Sequence, residues 1–204
     1  MTARIEALAS QINPHFLFNT LTSISSLIRS QPETARTLIV KLSALLRRLL
    51  RSQDHFVTLR EELEAIDEYL DIECVRFGPN LTVGKDVSPD ALDQIVPSMI
   101  LQPVVENSLK HGLSGKVGGG RLTLRAERRQ GHVILEVVDN GVGMTPDRLA
   151  KALTDRGIGL RNVNERLRVI YGATCQLRLH SVAGEGTAVR LEIPELVIPE
   201  RVSA

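Results

Sequence analysis

The sequence predicts an α+β protein: a helical domain over residues 1–78, then an α/β sandwich over residues 79–204 with a mixed or antiparallel sheet covered on one face by helices. Three observations lead there. Residues 1–77 are poor in glycine and carry apolar residues at helical spacing throughout. Gly78-Pro79 then breaks the pattern, and period-two alternation with frequent glycine follows. Finally, the first two helices carry more apolar surface than one hairpin can bury, so pairing of two chains into a four-helix bundle is expected.

The elements follow in order. Ile5, Leu8, Ile12 and Phe16 form one helical stripe, while His15, Asn19, Thr22, Ser26 and Arg29 recur on a neighbouring polar face. Leu17, Leu21, Ile24 and Ile28 fall opposite that face, which leaves His15 open to solvent on a packed helix. Pro14 lacks an N–H and either kinks this helix or begins a new segment just before His15. Pro32 opens a second helix with a seam of Leu38, Leu42, Leu45 and Leu49, widened by Ile39, Leu46 and Leu50. Thr58 and Glu61 read as a capping box for a third helix carrying Leu59, Leu63, Ile66 and Leu70.

Past Gly78, Leu81-Thr-Val reads as a strand and Ser98–His111 as a helix stopped by Gly112. Strands are expected over 121–126 and 132–138, with a turn at Gln130-Gly131 between them. Thr145-Pro146 starts a helix, and a longer one carries Leu160, Val163, Leu167 and Ile170 up to Gly172. A C-terminal hairpin turns at Gly184–Thr187 between Leu177, Leu179 and Val189, Leu191, Ile193.

Composition narrows the function. A net charge of +1 and 3% aromatic content without tryptophan argue against nucleic acid as a partner. Cys74 and Cys175 show no paired spacing and read as free thiols. No run reaches ~18 apolar residues and no signal peptide precedes residue 10, so a cytoplasmic segment is expected. A first helix starting almost at Met1 hints at a part upstream of this chain.

Four clusters could carry chemistry. Glu106, Asn107, Lys110 and His111 share one arc of about 140° on their helix, opposite Leu101, Val105 and Leu109. Mixed charges of this kind are usually a solvated face, but here they also supply an oxygen ligand suited to magnesium, a cation and an imidazole. Asp139-Asn-Gly-Val-Gly143 follows an apolar strand, where Asp139 can accept a hydrogen bond from an exocyclic amine and Gly141 and Gly143 let a ligand approach the backbone. Gly157-Ile-Gly159-Leu160 opens a helix whose N–H groups favour phosphate. It is neither a P-loop nor a dinucleotide fingerprint, because no Gly-Lys-Ser/Thr follows and Asn162 stands at the third glycine position. Gly184-Glu-Gly186-Thr187 is, alone, a hairpin turn. Singly, each is a common local structure.

Taken in order, residues 98–194 resemble the ATP-binding domain of histidine kinases and their GHKL relatives, gyrase B and MutL. Glu106-Asn107 with Lys110-His111 resembles the N box, and Asp139-x-Gly-x-Gly143, Gly157-x-Gly159 and Gly184-x-Gly-Thr187 resemble the glycine boxes. Residues 11–77, with Pro14-His-Phe-Leu-Phe-Asn19, resemble the dimerisation and phosphoacceptor region of LytS-type (YehU-like) sensor kinases. The resemblance implies that His15 is the phosphoacceptor and that Asn107 holds Mg²⁺ on the phosphates of ATP. Asp139 is implied to bind the adenine amino group, with Lys110 and His111 near the phosphates. Gly157, Gly159 and Leu160 are implied to belong to a short lid spanning about Met144 to Leu160, Gly186 and Thr187 to the nucleotide site, and Glu106 to serve as general base or charge-orienting group. Phe16 stands where many histidine kinases carry an acid, which leaves Asn19 or Glu106 to orient or polarise His15. The same resemblance implies a homodimer, a response-regulator receiver domain bearing the accepting aspartate, and an upstream sensor or transmembrane domain of a membrane-anchored protein. Two other readings are a nucleotide-driven ATPase clamp, which needs no His15, and a nucleotide-binding scaffold without phosphotransfer.

Overall fold

A computed structural model describes residues 14–51, 55–152, 158–173 and 175–196. Two compact units emerge: one takes the chain up to His55 together with Leu63–Gly78, the other takes Phe56–Glu62 and the chain from Pro79 onward. Residues 56–62, grouped from sequence with the helical half, therefore cluster with the C-terminal unit. Among the described residues no helix is long and apolar enough to cross a membrane.

In the first unit, α1 (Pro14–Ser30) and α2 (Pro32–Arg51) form a hairpin joined through Gln31. Residues 63–77 of α3 (Leu59–Phe77) complete the unit. Phe16, Thr20 and Ile24 of α1 are buried with Ala35, Leu38, Leu42 and Leu45 of α2 and with Ile66, Tyr69 and Leu70 of α3. The buried face of α1 thus runs through Phe16, Thr20 and Ile24, whereas Leu21 and Ile28, expected inside, are exposed beside Phe18. Spacing of four along the helix sets that face, and Thr20 enters it because its hydroxyl donates back to the Phe16 carbonyl at 2.8 Å. The stripe expected over Ile5, Leu8 and Ile12 and any kink before Pro14 lie outside the described residues.

The capping box opening α3 is formed as expected. The Thr58 amide donates to Glu61 Oε2 at 2.8 Å and the Glu61 amide to Thr58 Oγ1 at 3.2 Å. Its first turn is fastened within the second unit by Leu59 N–H to Gln94 O (2.8 Å) and Arg60 to Asp93 (2.9 Å). Short strands β1 (Phe56–Thr58) and β3 (Ile95–Pro97) pair antiparallel alongside; three residues each are too few to show alternation in sequence.

The second unit is built on a mixed five-stranded sheet of β2 (Leu81–Val87), β4 (Gly120–Arg129), β5 (His132–Asp139), β6 (Arg178–Val182) and β7 (Gly186–Pro194), in the order β2-β4-β5-β7-β6. β2 runs parallel to β4 and the remaining pairs are antiparallel. Leu122, Leu124, Val133, Leu135, Val137, Val189, Leu191 and Ile193 point inward at period two and are fully buried. The alternate residues form a charged outer face in which Glu136 meets Arg190 at 3.2 Å and Arg125 at 3.8 Å across paired strands.

The helix expected over 98–111 is different. α4 spans Gln102–Asn107 and continues as a π-helical turn, Ser108–Leu113, closed by Ser114 N–H to Leu109 O at 3.0 Å. Residues 98–101 are not helical because Met99 sits at φ 57° and Glu62 captures the amides of Met99 and Leu101. α5 (Pro146–Lys151) starts behind Thr145 as expected, although the Thr145 side chain makes no cap hydrogen bond. α6 (Ile158–Tyr171) ends before Gly172.

Candidate nucleotide site

A cavity of about 270 Å³ opens at the end of β5, lined by Asn107, His111 and Gly112 below α4, Asp139, Gly143 and Met144 after β5, Arg148, Lys151 and Ala152 of the α5 region, Leu160 of α6 and Thr187 of β7. The apolar run of β5 drives the strand into the core, so its terminal Asp139 is carried inside and remains only 3% exposed. The Gly141 amide donates to Asp139 Oδ1 at 2.9 Å, closing a local turn. Burial pushes the Asp139 carboxyl above its ordinary value, while the Gly141 amide, the Ser108 hydroxyl, the Thr187 amide and the charge of Lys116 pull it down. A buried carboxylate with oxygen still facing a cavity is a strong acceptor for a ligand N–H.

Glycine is required here by backbone meeting backbone. A Cβ on Gly141 would lie 2.2 Å from the Gly112 carbonyl oxygen, and one on Gly186, at φ 125°, would lie 2.0 Å from the Asp139 carbonyl oxygen. The space beside Gly141 was expected to admit a ligand; protein backbone fills it instead. Gly143 also sits against backbone, near Val182, and still lines the cavity. Ser181 fastens the segment after it, accepting from Met144 N–H at 2.9 Å and donating to Gly186 O at 2.8 Å, with Thr187 Oγ1 2.9 Å away.

Of the residues singled out from sequence, Asn107, His111, Asp139, Gly143, Leu160 and Thr187 converge on the cavity. Gly141 and Gly186 stand outside the lining, each pressed against neighbouring backbone. Lys110 is exposed and outside the lining, and Glu106 Oε1 accepts from Gln102 Nε2 at 3.0 Å rather than facing in. Gly159 lies in the first turn of α6, where an added Cβ would come 3.7 Å from Pro103 of α4, and Gly157 lies outside the described residues. Arg148 and Lys151 were missed, although their three-residue spacing after Pro146 puts two cations on one side of a helix start. Burial, then the charges of Lys110 and Arg148, hold His111 below the usual imidazole range, so it is neutral at pH 7.

The first unit holds the other candidate. His15 is in the first described turn of α1, and its side chain lies outside the described residues. Beside it Phe16 packs on Tyr69 of α3 with ring centroids 4.8 Å apart, which turns the position that an acid often takes into a core contact. Asn19 is half-buried one turn on.

Two family models match in tandem: "Histidine kinase" over residues 3–81 and "Histidine kinase-, DNA gyrase B-, and HSP90-like ATPase" over residues 92–197. The chain belongs to the histidine kinases. It is 37% identical over 97% of its length to sensor histidine kinase YpdA of Escherichia coli K12, covering 35% of that protein. It is 35% identical to E. coli BtsS over 94% of this chain and 33% of BtsS, and 33% identical to HptS of Staphylococcus aureus over 94% of this chain and 38% of HptS. The chain therefore spans about a third of the length of the curated relatives it matches. In fold, this histidine kinase resembles the kinase domain of the blue-light activated enzyme of Erythrobacter litoralis EL346 (TM-score 0.54, 19% identity, 89% of this chain and 93% of that one). It also resembles AdeS of Acinetobacter baumannii (TM-score 0.54, 16% identity, 84% and 83% covered).

Among the described residues no group of three or more His, Cys, Asp or Glu could hold a metal ion by itself. The cavity's hard oxygen donors, Asn107 above all, fit a magnesium ion whose remaining ligands are phosphates and water.

Proposed function

We propose that this chain binds Mg-ATP in the cavity at the end of β5, phosphorylates His15, and passes the phosphoryl group to an aspartate of a response-regulator receiver domain. The observation that carries the first step is the convergence of Asp139 and Thr187 with Asn107, His111, Arg148 and Lys151 around one cavity. Asp139 accepts the adenine amino group; Met144, Ala152 and Leu160 supply apolar wall; Arg148 and Lys151 attract the phosphates. Asn107 would hold magnesium, which when bound neutralises phosphate charge.

In the reaction an imidazole nitrogen of His15 forms a bond to the γ-phosphorus while the bond from that phosphorus to the β–γ bridging oxygen breaks and ADP leaves. The proton displaced from the ring passes to a base, for which Glu106 is the candidate; Asn19 orients the ring. An imidazole with a pKa of about 6.5 is mostly neutral near pH 7 and needs little activation. Phe18, Leu21, Ile28, Ile39 and Val40 leave α1 and α2 with exposed apolar residues, which supports pairing with a second copy as a four-helix bundle.

Incubation with γ-labelled ATP tests this. Acid-labile, base-stable label that is absent from His15→Ala supports the kinase. Steady phosphate release with no labelled protein contradicts it and supports the ATPase clamp.

A further inference from the structure

We propose that Glu62 is a positioning residue for the phosphate half of the nucleotide site, holding α4 and α6 in the geometry that presents Asn107; the proposal rests on the nucleotide reading of the cavity. Glu62 lies in the first turn of α3, away from the cavity lining, and is 3% exposed. Its two carboxylate oxygens are divided between two amides: Oε2 accepts from Met99 at 2.8 Å and Oε1 from Leu101 at 2.9 Å. Leu101 is the N-cap residue of α4 and offers that helix no side-chain cap. Met99 adopts φ 57°, a left-handed conformation that an unbranched L-residue takes only when its surroundings hold it.

A third element closes the set. Arg166 of α6 donates from Nη1 to the Ser98 carbonyl at 2.6 Å, and its charge acts on Glu62. The turn 98–101 is thus gripped by a carboxylate on its amides and a guanidinium on its carbonyl. From that turn α4 runs six residues to Asn107, while α6 carries Leu160 into the cavity on the same helix as Arg166. Burial raises the Glu62 carboxyl against the pull of the Leu101, Met99 and Ile100 amides and of the Arg166 charge. A buried acid would be poor core filling, but as a two-amide acceptor it fixes a helix start that its own sequence leaves uncapped.

Asp139 and Thr187 sit on the paired strands β5 and β7 and do not depend on that turn for their placement. The test therefore separates base from phosphate. In Glu62→Gln one acceptor oxygen becomes an NH₂ facing an amide. We expect Mg-ATP to bind about tenfold more weakly while adenosine binds within about twofold of the unsubstituted chain. Adding Met99→Gly, which enters the left-handed region freely, restores part of the Mg-ATP affinity. Ile193→Val, a core change on β7, serves as the control and should leave the ratio of the two affinities unchanged. If Glu62→Gln does not fold by circular dichroism, Arg166→Gln releases Ser98 and carries the same expectation. Equal weakening of adenosine and Mg-ATP, or no weakening of either, overturns the proposal. An unsubstituted chain that binds neither ligand overturns the nucleotide reading itself.

Discussion

Asp139→Asn separates recognition of the base from stability of the fold. Asparagine keeps the shape and an oxygen that can still accept from Gly141 N–H at the 2.9 Å now held by Asp139 Oδ1. It replaces the second oxygen by an NH₂, which meets the adenine amino group donor to donor. A buried donor left without its partner costs about 1–3 kcal/mol, or roughly 5- to 150-fold in affinity. Stability should move the other way. The folded pKa of Asp139 is raised, so its contribution to folding is fully present below its ordinary value of 3.8 and is lost as pH rises through the folded value. Burial works against the charged carboxylate, and neutral asparagine removes that cost while giving up part of the pull of the Ser108 hydroxyl and the Thr187 amide. Calorimetric titration with Mg-ATP and thermal melts of the ligand-free chain measure the two effects. The expected result is weakened binding with a melting temperature at pH 7.5 that holds or rises, the gain shrinking toward acid pH. Unchanged affinity, or a fall in affinity matched by a fall in melting temperature at pH 7.5, would refute the reasoning.

Three further outcomes follow from the same geometry. Gly186→Ala brings a Cβ to 2.0 Å from the Asp139 carbonyl at a φ of 125°, so urea denaturation should show a loss of about 3 kcal/mol or more. His111 has a depressed folded pKa, so its penalty is absent above its ordinary value of 6.5 and grows as pH falls through the window below it. His111→Gln should accordingly flatten the decline in melting temperature from pH 7 to pH 5, and proton NMR should show the wild-type ring titrating below a free histidine. Thr58→Ala breaks the capping box of α3 and should cost about 1 kcal/mol, read by denaturant unfolding, with Mg-ATP affinity little changed.

What was legible in the sequence is what local chemistry decides. The Thr58–Glu61 box and the Gly78 stop bound α3 because each depends on residues within a turn of one another. The alternation of β4, β5 and β7 survives because one face is core and the other charged. Asn107, His111, Asp139 and Thr187 could be named because their order and spacing match a pattern, and the fold brings those side chains to one cavity. The turn at 98–101 was misread as helix because the group that unwinds it, Glu62, lies 37 residues from Met99 in sequence. The π-helical turn after Asn107 was hidden for a similar reason, since nothing in Ser108–Leu113 forbids ordinary helix. Close approach at Gly141 and Gly186 is a tertiary property, and a glycine pattern does not say whether ligand or backbone occupies the space. On α1, helical spacing allows more than one apolar face, and Thr20 took a place that periodicity gives to a hydrocarbon.

The most direct test of the central claim is to map phosphate on the chain by mass spectrometry under alkaline conditions after incubation with Mg-ATP. The account predicts phosphate on His15 in the unsubstituted chain and none there in a folded Asn107→Ala variant. Phosphate on another residue, or undiminished modification of His15 in Asn107→Ala, would contradict it.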